Sequence, residues 1–331
     1  MENTKEAKYY RRLENKAVQC DLCPHGCRIK EGGKGICRVR RNVEGSLFAE
    51  NYGRVSAIAM DPVEKKPLYH FYPGKYILSI GTIGCNFTCS FCQNYQISQQ
   101  EAETNFVDPR YLLNLCRSEE ECIGLAYTYN EPTVWFEYIL ETAAIIRQEG
   151  LKNVLVSNGY ISQEPLMELL QYTDAMNIDV KGFSEKYYKD ICGGTLGDVR
   201  RTVEAAAGKA HLEITTLIVP GYNDSIQEIG ELAHWLSDID PSIPLHLTRY
   251  YPTYKMSAPA TPVETIKRLR EAALEHLDFV YIGNVAGDDS NTYCPECGAA
   301  LMRRMGGITV EHLDDNTCTK CGKEINIIGL D

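Results

Sequence analysis

Short apolar runs alternate with amphipathic ones through the middle of the chain. Strand-like runs fall at 76–80, 122–127, 153–157, 175–180, 212–219, 245–248 and 279–282. Helical patterns fill the gaps at 109–117, 132–148, 164–171, 198–207, 226–237 and 262–276. Start signals agree with this division. Asp108-Pro109 offers an N-cap with proline in the first turn, and Thr261-Pro262-Val263-Glu264 reads as a capping box. Brief apolar strands alternating with helices predict a parallel sheet of the α/β class, and six or seven such units predict a partial or full barrel. In such barrels the loops after the strand ends carry the chemistry. The regions outside the alternation are cysteine-rich. The expected division is therefore a metal-binding segment over 1–72, a barrel over 73–289 and a small module over 290–331.

Composition narrows the class of protein. The chain has 331 residues and fourteen cysteines, eleven of which fall into clusters with metal-ligand spacing. Disulfides are therefore not expected. No apolar h-region follows the first residues and no apolar run reaches the length of a membrane span, so a cytoplasmic location is expected. Net charge is −11, yet residues 1–45 carry eleven Lys/Arg against six Asp/Glu, leaving −16 for the rest. An acidic body of this kind argues against a general nucleic-acid binder.

The most specific chemistry sits just after the first strand. Cys85, Cys89 and Cys92 are spaced C-x3-C-x2-C, with Phe91 directly before the last cysteine. Three thiolates on one loop can hold three corners of a cubane and leave one iron open, whereas zinc takes four ligands. Gly81 and Gly84 are expected to let the backbone pass closely beneath a bulky cofactor. This loop resembles the cluster loop of the radical S-adenosylmethionine (SAM) superfamily. The resemblance implies a [4Fe–4S] cluster at Cys85, Cys89 and Cys92, SAM at the open iron, and a low-potential electron donor.

Other strand ends extend the likeness. Thr128-Tyr129-Asn130-Glu131-Pro132 is similar to the segment that holds the SAM amino group, which implies Asn130 and Glu131 as contacts. Ser157-Asn158-Gly159 resembles a turn of the glycyl-radical-enzyme activases, which implies Ser157 and Asn158. Asp179 and Lys181 stand two apart, hence on one side of an extended strand. An acid and a base there suit the ammonium and carboxylate of a bound amino acid, and the activases carry a similar Asp-x-Lys. Val219–Asp224 and the stretch from Pro244 to Pro252 also resemble activase segments, but Arg249, Tyr250 and Tyr251 stand where activases carry a histidine. His246 is expected to be packed, and the stretch from Tyr281 to Val285 lies where the family lines the adenine. Over most of its length the chain resembles the radical SAM enzymes of the AmmeMemoRadiSam system, notably through Cys23-Pro24-His25-Gly26-Cys27 and Asp61-Pro62-Val63-Glu64-Lys65-Lys66-Pro67-Leu68-Tyr69-His70-Phe71. That likeness implies AMMECR1-like and Memo-like partners and names no substrate.

Two accessory metal sites are expected. Cys20, Cys23, Cys27 and Cys37 follow C-x2-C-x3-C-x9-C, which suits zinc or a fully ligated auxiliary cluster, with zinc preferred. Cys294, Cys297, Cys318 and Cys321 form two knuckles in the manner of a zinc ribbon or rubredoxin, and zinc is expected there. Cys116 and Cys122 read as buried hydrophobes, and Cys192 as a conceivable hydrogen-atom donor. The reading is a radical SAM enzyme whose bound SAM yields a 5′-deoxyadenosyl radical that acts on an unidentified substrate. Activation of a glycyl-radical enzyme, and a non-catalytic metalloprotein that binds a partner, are the alternatives.

Overall fold

The computed structural model describes residues 4–287, 289–304 and 306–330. Its centre is an open eight-stranded sheet with strands β1 (Ala57–Pro62), β2 (Tyr76–Gly81), β3 (Cys122–Tyr127), β4 (Lys152–Ser157), β5 (Ala175–Asp179), β6 (His211–Ile218), β7 (Leu245–Arg249) and β8 (Val280–Gly283), in that spatial order. β1 runs antiparallel to β2, and every later pair is parallel. Helices α1 (Pro109–Arg117), α2 (Phe136–Gln148), α3 (Gln163–Leu170), α4 (Leu196–Ala206), α5 (Ile226–Ile239) and α6 (Val263–Leu274) supply the crossovers. This is the expected α/β architecture, with element ends within about two residues of the sequence pattern except at the start of α2. Buried residues such as Leu125, Leu155, Ile178 and Ile214 on the strands pack with Leu112, Ile139, Leu166, Val203 and Leu232 on the helices.

The caps divide. Asp108 takes the backbone N–H of Arg110 and starts α1 as expected. The capping box at Thr261 does not form. The Thr261 hydroxyl instead donates to the Ile218 carbonyl at 2.6 Å and accepts from Tyr250 N, so it is consumed in joining two loops. Pro262 becomes the cap residue without a side-chain bond, and Glu264 pairs with Lys267. The run expected as one helix from Pro132 is a 3₁₀ turn, Pro132–Trp135, followed by α2.

Between β1 and β2 the chain enters the bore of the sheet. Val63, Leu68 and Phe71 pack on Ile77, Ala126, Val154 and Ala175, which alternate onto its inner face. His70 N–H donates to Glu213, whose carboxylate also takes the rings of His211 (2.9 Å) and His246 (2.6 Å). The Asp61–Phe71 stretch is thus a plug beneath the strand C-termini. His246 is packed, as the sequence suggested.

The flanking regions are welded to this core. Residues 5–49 form two small antiparallel sheets, Lys5–Glu6/Ser46–Ala49/Arg40–Val43 and Tyr10–Arg12/Val18–Cys20/Arg28–Ile29. Arg40 from the first makes a bidentate pair with Glu137 of α2 at 2.9 and 2.7 Å, both side chains buried. At the other end, Leu301, Met302, Ile325 and Ile327 share a core with Phe279 and Tyr281. Arg304 donates to the Tyr69 carbonyl of the plug at 2.8 Å. No helix among the described residues is long and apolar enough to cross a membrane.

Candidate active site

The strand C-termini surround a cavity of about 290 Å³. Cys85, Cys89 and Cys92 line it together with Asn130, Glu131, Asn158, Asp179, Lys181 and Asn284. Side chains from β2 through β8 therefore converge on one space, as the barrel topology requires. Ser157 stands one layer behind and donates to Glu131 at 2.8 Å.

The cluster loop is held from several sides. The Phe87 backbone N–H points at the Cys85 sulfur at 3.3 Å, and the Asn158 amide lies 3.7 Å from it. The Ser98 hydroxyl sits 3.1 Å from the Cys92 sulfur. Asn86 donates to the Tyr160 carbonyl and accepts from Asn158, tying this loop to the one after β4. Sequence reasoning missed a further clamp. The turn Tyr188–Cys192 offers its Ile191 and Cys192 carbonyls to Ser90 and Thr88, while the fully buried Cys192 thiol lies beside Cys89. The Gly193-Gly194 pair was the available signal. A side chain at Gly193 would meet Thr88 Oγ1 at 2.7 Å, and one at Gly194 would meet the Phe87 ring at 2.3 Å.

The loop glycines serve protein contacts. A Cβ on Gly81 would sit 2.9 Å from the Tyr129 ring, and one on Gly84 would lie 2.6 Å from the Cys37 carbonyl. Gly84 also has a φ of +85°. Close approach is real, but the neighbours are Tyr129 and the N-terminal cysteine loop.

The expected SAM contacts occupy distinct stations. Asn130 braces the cluster loop, accepting from Thr82 N at 3.1 Å and donating to the Gly84 carbonyl at 2.7 Å. Glu131 is 1 % exposed and takes Thr133 N, Ser157 Oγ and Asn158 N at 2.8–2.9 Å. Burial raises its carboxyl pKa, against the lowering effect of these donors. Asp179 and Lys181 pair at 3.0 Å on the cavity wall. Burial alone would lower the Lys181 ammonium, but Asp179, Cys89 and Cys192 raise it well above its ordinary value. Lys181 thus stays charged beside the cluster thiols. Of the stretch from Tyr281 to Val285, Asn284 reaches the cavity, while the Tyr281 hydroxyl turns to His70 and Thr292. Arg249 and Tyr251 bond each other at 3.0 Å.

The three thiols meet the demands of a cubane with one open corner. They line one cavity, N–H and O–H donors reach their sulfurs, and a fixed cation stands nearby to offset the negative charge such a cluster carries. The model for the "Radical SAM superfamily" matches residues 79–236, which span the cluster loop and the walls of the cavity. The chain belongs to the radical SAM superfamily. A radical SAM domain implies SAM and a [4Fe–4S] cluster. An uncharacterized protein of Methanocaldococcus jannaschii is 42% identical over 335 residues, covering 98% of this chain and 99% of the relative. The pyruvate formate-lyase-activating enzyme of Clostridium pasteurianum is 25% identical over 163 residues, 47% of this chain and 67% of that enzyme. Among solved structures, a radical SAM methyltransferase from Sphaerobacter thermophilus superposes with a TM-score of 0.52 at 14% identity, covering 73% of this chain and 72% of that one. That likeness is one of fold.

The C-terminal cysteines converge most tightly. The ligand atoms of Cys294, Cys297, Cys318 and Cys321 all lie within 4.8 Å of one another. Cys294 and Cys321 sulfurs are 3.5 Å apart, and those of Cys297 and Cys318 are 3.8 Å apart. The tetrahedron edge for metal–sulfur bonds of ~2.3 Å is ~3.8 Å. This four-cysteine set can hold a single metal ion. At the other end, His25 donates through Nε2 to the Asn86 carbonyl at 2.7 Å and spends that nitrogen on the cluster loop. Cys116 and Cys122 are buried, and both thiols point at the Gly124 carbonyl.

Proposed function

We propose that this radical SAM enzyme reductively cleaves SAM and abstracts hydrogen from a substrate handled together with AMMECR1-like and Memo-like proteins. The observation that carries the reading is the shared cavity, in which three cluster cysteines face the Asp179–Lys181 pair across about 290 Å³. When bound, the cluster and SAM supply one-electron cleavage to a 5′-deoxyadenosyl radical. The chain's own part is to orient SAM and shield it. Lys181 offers a charged donor to a carboxylate, Asp179 an acceptor to an ammonium, and the plug closes the cavity below through Pro67.

The plug favours a substrate of this system's own. Its Asp61–Phe71 stretch carries the AmmeMemoRadiSam likeness and reaches the cavity through Pro67. At the C-terminal site we propose zinc, because four thiolates at tetrahedral spacing leave no open position. The second reading, activation of a glycyl-radical enzyme, draws on the likeness to the pyruvate formate-lyase-activating enzyme.

The two readings part in one experiment. The reduced enzyme with SAM is mixed anaerobically with the AMMECR1-like and Memo-like proteins, or with a glycyl-radical enzyme. 5′-Deoxyadenosine is quantified and glycyl radical is sought by electron paramagnetic resonance (EPR). Faster 5′-deoxyadenosine release with the first pair, without a glycyl radical, is expected. A glycyl radical doublet on the second partner would replace this reading with the activase one.

A further inference from the structure

The structure holds two sets of four cysteines whose sulfurs are arranged differently. The C-terminal four close to single-ion spacing. Among the described residues this is the one group of three or more Cys, His, Asp or Glu whose ligand atoms all lie within 4.8 Å of one another. Cys20, Cys23, Cys27 and Cys37 are therefore spread more widely, although they share one hollow. The same wider spread marks Cys85, Cys89 and Cys92, the loop for which the family implies a cubane. A cubane places each thiolate on its own iron, so its sulfurs stand farther apart than those around one ion.

We propose that Cys20, Cys23, Cys27 and Cys37 bind an auxiliary [4Fe–4S] cluster in place of a zinc ion. All four line one hollow, together with His25, Gly35, Arg40 and Asn86. Its wall is chemically prepared. Backbone N–H groups of Leu22, His25 and Ile36 meet the sulfurs of Cys20, Cys23 and Cys27. A Cβ on Gly35 would lie 3.7 Å from both the Cys27 and Cys37 sulfurs, so the backbone there passes within contact range of two thiolates.

Arg40 supplies the second, independent sign. It lines the hollow, is 1 % exposed, and its Nε–H has no partner. Of its terminal nitrogens, Nη2 is spent on Glu137 and Nη1 reaches the Lys8 carbonyl at 3.5 Å. An orphaned N–H on a buried cation calls for an acceptor, and a cluster sulfur provides one.

Position gives the cluster its use. Gly84 abuts the Cys37 carbonyl, and His25 bonds the Asn86 carbonyl at 2.7 Å, so the residues either side of Cys85 both touch the N-terminal site. One electron from a low-potential donor of the ferredoxin or flavodoxin class reduces the auxiliary cluster, which passes the same electron to the loop cluster. The donor is oxidised by one electron and no atom moves.

The test uses the full chain carrying Cys85→Ala, Cys89→Ala and Cys92→Ala together, reconstituted anaerobically with iron and sulfide. About four iron and four sulfide per chain, with a low-temperature EPR signal after reduction, are expected to remain. Absence of iron together with about two zinc per chain would overturn the proposal. A second variant guards against a misfolded triple mutant. Cys20→Ser with Cys23→Ser in the otherwise intact chain should halve the iron from about eight to about four, while the loop cluster's EPR signal still shifts on adding SAM. Unchanged iron in that variant would also overturn it. The SAM-induced shift reports on the loop alone, so failure of the auxiliary site and failure of the SAM reading give different results.

Discussion

The cluster loop and the C-terminal module both gather cysteines, and they use them oppositely. At Cys85, Cys89 and Cys92 the sulfurs stand apart, face a charged cavity and lean on residues from distant strands. At Cys294, Cys297, Cys318 and Cys321 they close on one point in a segment of short strands. The first arrangement leaves a position for a ligand, and the second leaves none. Open ligation belongs to chemistry and closed ligation to folding. The number of cysteines matters less than whether the surrounding side chains are left free to receive something else.

The largest expected effect separates these roles. Cys89→Ala should abolish 5′-deoxyadenosine formation while metal at the C-terminal site persists. Cys318→Ser should do the reverse, releasing that metal and loosening residues 290–330 with the cluster-loop iron retained. Elemental analysis and hydrogen exchange on both variants check this. Loss of iron in the Cys318 variant would erase the distinction.

Next in size is the cavity's charge pair. Lys181→Ala should weaken SAM binding by about 1.5–3 kcal/mol, the scale of a hydrogen bond to a charged group. The same substitution at Lys320, beside the closed site, should leave it unchanged. Calorimetry on the two variants decides whether the Asp179–Lys181 pair belongs to the open site or is merely structural.

The parallel sheet was legible because each crossover repeats one simple pattern, a short apolar strand followed by an amphipathic helix. The cluster loop was legible because thiolate spacing on one loop is a local property. Local signals failed where partners are distant. Nothing at Thr261 announces that its hydroxyl is claimed by Ile218, forty-three residues away in sequence. Asn130 and Glu131 line the cavity, but the bonds by which they also brace the cluster loop and the loop after β4 run to partners that no local pattern announces. The plug was distinctive as a motif but carries no strand or helix period, so its place inside the sheet was hidden. The N-terminal strands, two to four residues each, are too short to show alternation.

The smallest effect concerns the plug, which joins the two regions through His70, Tyr281 and Thr292. Burial pushes the His70 imidazole down to about 3. An unfolded histidine titrates near ~6.5, so between these values the unfolded chain binds a proton that the folded chain refuses. This contribution to stability is complete above ~6.5 and falls by up to ~1.4 kcal/mol per pH unit as the pH drops below it. The Glu213 carboxyl is held well below its usual range: burial raises it, but the bonds from His211 and His246 outweigh that. It therefore adds acid sensitivity only at lower pH. His70→Gln should flatten the loss of stability between pH 6.5 and 5.5 by about one proton's worth. Parallel denaturation curves for the two proteins would show the histidine to be irrelevant.

The central claim is that the three-cysteine loop and the cavity it faces are built to cleave SAM. Full-length protein, reconstituted anaerobically and supplied with a low-potential reductant and SAM, should release 5′-deoxyadenosine and methionine in equal amounts, and the Cys89→Ala variant should release neither. Reconstituted protein that holds its iron, binds SAM and yet forms no 5′-deoxyadenosine on reduction would contradict the account.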